Sequence, residues 1–416
     1  MNKDIVKKII LENQQRIPAL SIIKRDYTVD LEANYIFTGQ RRAGKTYFLF
    51  SLIRDMIKLG TSIQTVLYIN FEDERLIGFD VSEFDGILES YQEMFAHKPI
   101  LFFDEIQIIG GWQKFVRRMA DSGFKIHITG SNSEMLSSEM ASTLGGGFTV
   151  MEIETLSFKE FLLFHGVVPE ANLEFSPGRF EVIRLYEQYF SQGGFPELIK
   201  FNEKKENLSN LFQKVFLGDI IARYQVRNPY ALRLLIKKLA ESTMEEVSYT
   251  RMRNILISTG SQVGTATLIE YVKYLDETFL ISPLLNFNAK ISSREAKKKY
   301  YFRDNGLLSL FLIEPASFQL ATLVFNTLRK SYGASLFYLR NGYEIDFFIP
   351  GEALIQVCYS LSEPATRKRE TSALLQAFAK NPVKNLFIIT YQTEEVLVEH
   401  GVNIHVIPAW KWLLRE

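Results

Sequence analysis

The chain has 416 residues, 47% hydrophobic and 23% charged, with Lys+Arg and Asp+Glu balanced at 48 each. That length predicts two to four domains, and zero net charge leaves no whole-molecule field to draw nucleic acid, so any such contact must come from a local patch. One cysteine, Cys358, excludes a disulfide framework and a cysteine-rich zinc site, and without an apolar run near 18 residues or a signal-peptide core the expected compartment is the cytoplasm, with no membrane partner.

Residues 3–14 place Ile5, Ile9 and Ile10 opposite lysines, which predicts a short amphipathic helix in an N-terminal helical segment, 1–30. Short apolar runs at 35–38, 65–70, 100–103 and 125–129 then alternate with helical patterns. Buried parallel strands read this way, so a βαβ series is expected over 31–155. The first run leads into Gly39-Gln40-Arg41-Arg42-Ala43-Gly44-Lys45-Thr46, a full phosphate-binding loop between a strand and a helix. Gly39 and Gly44 let backbone amides turn toward an anion, and the helix start adds partial positive charge. Lys45 is expected to reach the β- and γ-phosphates of a nucleoside triphosphate and the Thr46 hydroxyl to ligate Mg²⁺. Gln40, Arg41, Arg42, Ala43 and Tyr47 complete the candidate nucleotide contacts.

The run at 100–103 ends in Asp104-Glu105. At a strand's C-terminal end these acids stand beside the loop, Asp104 to hold Mg²⁺ through water and Glu105 as general base. The run at 125–129 ends in Gly130-Ser131-Asn132, where Ser131 first and Asn132 second are candidates to sense the γ-phosphate. The alternative is that Ser131 or Ser133 caps a helix.

From residue 158 the pattern turns helical, with 160–164 and 180–192 in a helical lid, 156–207, and Gly193-Gly194-Phe195-Pro196 as a hinge or domain edge. Helices follow at 208–223 and 230–241. Two more at 247–258 and 265–278, then strands at 279–281 and 300–302, suit a winged helix-turn-helix within 208–314. The hairpin 286–303 carries Lys290, Arg294, Lys297, Lys298, Lys299 and Arg303 against Glu295, a candidate contact to a DNA backbone. The alternative is a solvated hairpin on a protein-docking module. In 315–416 a helix at 318–330 precedes strands at 335–339, 344–349, 353–359 and 386–390, an order that resembles a restriction-endonuclease-like core. Such a core needs two acids and a lysine. Asp346 is in place, but Gln356 and Cys358 fill the other positions, so an inactive domain is expected, with Lys368 as a candidate substitute.

Further strings match a family: Tyr68-Ile69-Asn70-Phe71-Glu72-Asp73-Glu74-Arg75-Leu76, Asp104-Glu105-Ile106-Gln107, Leu156-Ser157-Phe158-Lys159-Glu160-Phe161, Gly193-Gly194-Phe195-Pro196-Glu197 and Thr366-Arg367-Lys368-Arg369-Glu370. With the phosphate loop they resemble prokaryotic AAA-type ATPases that carry a C-terminal domain of unknown function. The resemblance implies ATP over GTP and a nucleotide-driven switch. It also implies a Gly-Arg pair about where Gly146-Gly147 stands, which leaves Arg117, Arg118 and Arg223 as substitute arginines. The expected fold class is α/β: a P-loop NTPase (AAA-like) parallel sheet with a helical lid, then a winged helix and a small restriction-endonuclease-like domain. ATP and Mg²⁺ are the expected cofactors; DNA, a protein partner and a homo-oligomer stay open. The alternatives are an ATP-gated nuclease and a module that binds ATP without turnover.

Overall fold

Apolar strands without polar alternation need cover on both faces. In the computed structural model, which describes residues 2–132, 135, 143–169 and 173–415, the chain forms two compact units, Met1–Thr155 and Leu156–Glu416. In the first, β1 (Asn34–Thr38), β2 (Val66–Asn70), β3 (Ile100–Asp104), β4 (Ile126–Gly130) and β5 (Phe148–Glu152) form one sheet, ordered β2-β3-β4-β1-β5 and parallel throughout. Alternate strand residues face opposite sides. Ile36, Ile69, Phe103 and Ile128 pack under α1 (Lys3–Ala19), while Phe37, Tyr68 and Phe102 pack under α2 (Lys45–Lys58). Helices α3 (Phe84–Gln92) and α4 (Trp112–Asp121) add Phe84, Ile87, Trp112 and Phe115 to the α1 side.

Helix α1 runs past residue 14 because Ile17 is wholly buried and the Gln14 amide donates to the β2 carbonyl of Val66 at 2.9 Å. The β1–β4–β3 neighbourhood positions the site. Parallel strands discharge their loops at one edge, so the segments carrying Lys45, Asp104 and Ser131 are neighbours before any side chain is placed. Ser133 lies outside the described residues.

The second unit opens with α5 (Phe158–Phe164), α6 (Gly178–Gln192) and α7 (Lys204–Lys214), and α7 continues as a π-helix over Val215–Ala222 rather than as the single α-helix expected. Then come α8 (Pro229–Glu241), β6 (Val247–Ser248), α9 (Tyr249–Ser258), α10 (Thr265–Glu277), β7 (Ile281–Asn286), α11 (Ile291–Ala296) and β8 (Lys297–Phe302). The chain ends through α12 (Asn305–Ser309), α13 (Ala316–Tyr332), β9 (Phe337–Arg340), β10 (Glu344–Ile349), β11 (Ala353–Val357), α14 (Pro364–Lys380), β12 (Asn385–Thr390), β13 (Glu395–Glu399), β14 (Val402–Pro408) and α15 (Ala409–Arg415). Its nine strands make one sheet, ordered β13-β14-β12-β11-β10-β9-β7-β8-β6. Strand β7 is antiparallel to β8 and parallel to β9, which makes the sheet continuous.

Two expectations change here. Gly193-Gly194 is a packed junction, not a hinge: the Asp304 carboxylate accepts the N–H of Gly194 at 2.8 Å and of Gly306 at 2.8 Å. A β-carbon would collide with Asp304 at position 193 and with the Leu156 carbonyl oxygen at 194. The segment 286–303 is not an open basic strip either. It contains α11, and most of its cations are engaged within the chain: Arg294 donates to the carbonyls of Asn286 and Phe287, Arg303 to Ser282 Oγ, and Lys298 pairs with Glu295 at the surface. Lys299 is wholly buried. Lys290 and Lys297 remain exposed.

Candidate functional site

The phosphate-loop sequence forms a tight turn whose glycines are required. Gly39 has φ +146°, and a β-carbon there would drive into the Ile153 carbonyl oxygen; Gly44 has φ +103° and opens α2. No side chain caps α2, so its first-turn N–H groups face an incoming anion. Lys45 is buried, its Nζ donating to the carbonyls of Gly39 at 3.1 Å and Gln40 at 3.2 Å and lying 3.4 Å from Glu105 Oε1. Ala43 sits inside the turn, its carbonyl accepting from Arg25 Nη1 at 3.1 Å. Gln40 is buried, with its Nε2 unbonded.

Asp104 is buried at the end of β3 and accepts three hydroxyls: Thr46 at 2.7 Å, Tyr68 at 2.8 Å, and Thr129. Burial, then the neighbouring Glu105 charge, push its carboxyl up against those donors. Glu105 goes the other way. Burial alone would raise it, but the Lys45 ammonium, the Gln107 amide and the Arg41 guanidinium together hold it below the ordinary carboxylate range. Two adjacent acids pushed apart in this way are suited to different tasks. Thr46 and Asp104, hydroxyl against carboxylate, are an oxygen-donor pair that fits Mg²⁺.

Ser131 completes the cluster, its Oγ 3.2 Å from Gln107 Nε2. Asn132 is buried beside it, and its carbonyl accepts from Thr38 Oγ1 at 2.9 Å. Of the outer loop residues, Arg41 pairs with Glu72 at 2.6 Å while its charge still acts on Glu105, Arg42 is exposed at φ +62°, and Tyr47 is exposed with its ring edge-on to Phe50. Arg118 pairs with Asp85 at 2.6 Å, Arg117 lies 3.8 Å from Asp121 on the exposed face of α4, and Arg223 lies 3.8 Å from Asp219. Sequence reasoning missed Arg25, Tyr68, Gln107 and Thr129 as parts of this site. Gln107 left a trace, a polar residue inside the apolar turn Ile106-Gln107-Ile108; Arg25 and Tyr68 left none.

In the second unit, Gln356 and Asp346 face each other across β10 and β11, but the Gln356 amide is used by backbone. It accepts the Asp346 N–H at 2.9 Å and donates to the Glu344 carbonyl at 3.1 Å. Cys358 donates its thiol to the Ser360 carbonyl. Lys368 is exposed on α14, and the ammonium facing Asp346 is instead Lys299 from β8, at 3.9 Å. These residues do not fit a two-carboxylate metal site.

A five-stranded parallel sheet of this order, with a glycine loop, an acidic pair and a polar residue meeting at one edge, defines a P-loop ATPase core of the AAA type. Residues 32–162 match the AAA domain family and residues 183–316 a family described as a domain of unknown function. An uncharacterized protein of Methanocaldococcus jannaschii is 35% identical over 99% of this chain and 96% of its own length. An uncharacterized protein of Haemophilus influenzae is 29% identical over 91% and 94%. The chain belongs to the family of the M. jannaschii protein, with an AAA domain as its N-terminal part. Among solved structures it is similar to the Walker-type ATPase of Pyrococcus abyssi (12% identity, 74% of this chain and 95% of that one, TM-score 0.40). It is also similar to the Aeropyrum pernix ORC1 protein in complex with DNA (13%, 74% and 91%, TM-score 0.30). Among the described residues no helix is long and apolar enough to cross a membrane.

Proposed function

We propose that the N-terminal unit binds ATP with Mg²⁺ and hydrolyses it slowly, as a nucleotide-driven switch whose C-terminal unit selects a partner. The observation that carries this reading is the convergence of Lys45, Thr46, Asp104, Glu105 and Ser131 on one sheet edge through direct contacts. A phosphate oxyanion is a stronger partner for the Lys45 ammonium than the two loop carbonyls it now holds. Thr46 and Asp104 would hold Mg²⁺, which supplies charge neutralisation at the phosphate oxygens. Glu105 would orient the water and take its proton, and Ser131 would meet the γ-phosphate. Gln40, with a buried unbonded amide nitrogen, is a further donor inside the loop.

Slow turnover follows from the arginines. Arg117 and Arg118 have ion-pair partners on an exposed helix face, and a transition-state arginine supplied in cis or in trans contributes about 10³–10⁵ in rate. The same observation favours a second reading, a binding module with almost no turnover alone. In the C-terminal unit, the run α8, β6, α9, α10, β7, β8 with β6 and β7 antiparallel to β8 supports a winged helix. The β9-β10-β11 meander, crossover helix α14 and parallel β12 support a nuclease-like fold. The backbone bonds of Gln356 argue that it docks rather than cuts.

Phosphate release from the full chain tests the reading. Lys45→Ala is expected to lose nucleotide affinity, and Glu105→Gln to keep it while losing about 10²-fold or more in turnover. Turnover equal in wild type and Glu105→Gln would overturn the ATPase claim.

A further inference from the structure

We propose that Gln107 is a positioning residue that ties Glu105 to Ser131, so that the group polarising water and the group meeting the γ-phosphate move together; this rests on the ATPase reading above. Glu105 sits at φ +53°, and its N–H donates to Thr129 Oγ1 at 2.9 Å, which holds its backbone but not its side chain. The carboxylate is oriented by the Ser131 hydroxyl, which also bonds it, and from two further sides. Lys45 lies 3.4 Å from Oε1, and Gln107 Nε2 donates to Oε2 at 2.5 Å. The same Nε2 is 3.2 Å from Ser131 Oγ, so one NH₂ group spans base and sensor.

The amide has one workable orientation. Its Nε2 faces a carboxylate, where the carbonyl oxygen would be repelled. Its Oε1 lies against Gly130, where a β-carbon would fall 2.9 Å from it and would collide with Met135. Gly130 thus leaves room for Met135 and for Gln107, which reaches across from the turn Ile106–Ile108, itself anchored by wholly buried Ile106. Oε1 is buried and unbonded. A buried acceptor without a donor is costly, and it persists here where a site supplies the reason. A ligand drawing on Ser131 pulls on Gln107, and Gln107 turns the carboxylate of Glu105.

Four variants in the full chain, Gln107→Ala, Gln107→Glu, Ser131→Ala and Gln107→Ala with Ser131→Ala, test the tie alongside Glu105→Gln. Expected for Gln107→Ala is a kcat lower by about 10–100-fold, the scale of an ångström of misplacement, with KM and the Kd of a fluorescent ATP analogue within about twofold. Gln107→Glu keeps the volume but sets an acid against Glu105, so it is expected to be no better than alanine; a packing role would tolerate it. The double variant is expected to match the worse single variant, because the two residues act as a unit. In the nucleotide-free protein, amide hydrogen exchange over 105–109 is expected to be severalfold faster in Gln107→Ala, a readout independent of turnover. Unchanged exchange, wild-type kcat in Gln107→Ala, or multiplying losses in the double variant would each overturn the tie. Turnover in Glu105→Gln equal to wild type would instead sink the ATPase reading.

Discussion

Gly39 has the least freedom in the loop, since its left-handed backbone and the Ile153 carbonyl leave no place for a β-carbon. Gly39→Ala must part β1 from the segment after β5, at about 1–3 kcal/mol, and it turns the loop amides off their target. A lower denaturation midpoint and at least tenfold weaker nucleotide binding are expected. Gly147→Ala, with open space around its α-carbon, should change neither. Unaltered binding in Gly39→Ala would remove the loop from the nucleotide site. The buried pair Lys299 and Asp346, with the half-exposed Glu344, gives a pH test in the second unit. Lys299 Nζ is 2.7 Å from Glu344 Oε1 and 3.9 Å from Asp346 Oδ1, yet burial pushes Asp346 up to about 6 against the Lys299 charge and the Val357 amide. A carboxyl raised on folding favours the native state while protonated, so its contribution is full below pH ~4, the unfolded value, and is lost as pH rises through about 6. Asp346→Asn should therefore stabilise the second unit at pH 8, by on the order of 2–3 kcal/mol, and do little at pH 4. Denaturant titrations at the two pH values decide, and equal shifts at both would refute the burial argument.

At the scale of elements, legibility followed locality. The runs 100–103 and 125–129 were readable as strands because a short, mostly apolar stretch is what a doubly covered strand needs. The end of α1, residues 15–19, was not, since the polar run from Asn13 to Arg16 looks like an end until Gln14 is seen bonding a strand 52 positions away. β13 was hidden for a related reason: it is an edge strand with Val396 and Val398 exposed, which blurs the alternation that marks a half-buried strand. The π-turns after α7 have no composition of their own. The Gly193-Gly194 junction shows the same limit, because two glycines in sequence look mobile while Asp304, 110 residues on, fixes them. Asp304→Ala leaves the N–H groups of Gly194 and Gly306 unpaired in a buried site, at ~1–3 kcal/mol each, and opens a cavity beside Gly193. We expect the second unit's transition to fall markedly, by several degrees or more in a thermal melt, while the first unit's is unchanged. Loss of no more than a surface substitution's worth of stability would mean the junction holds without it.

For the whole molecule, the candidate site could be located in sequence where a motif is contiguous, as in 39–46 and 104–105, and not where register assembles it. Tyr68 reaches Asp104 only because β2 and β3 are neighbours in the sheet. The same effect decides how many cations the hairpin 286–303 exposes. Six cations within 286–303 look like a strip for a phosphate backbone, but Arg294 and Arg303 bond within their own chain, Lys298 pairs with Glu295 and Lys299 is buried against Glu344. With Lys290 and Lys297 left exposed and balanced charge overall, the hairpin offers about two phosphate contacts. Each neutralised phosphate adds about −0.9 to the slope of log K against log salt. Duplex DNA should thus bind with a hairpin-dependent slope no steeper than about −2. Lys290→Glu with Lys297→Glu should abolish that part, and turnover at ~150 mM salt should ignore DNA, because contacts that few are screened beyond about 8 Å. A slope near −5, the value about six contacts would give, together with DNA-stimulated phosphate release, would mean that the engaged cations swing out on binding, and it would return the hairpin to the role its composition suggests.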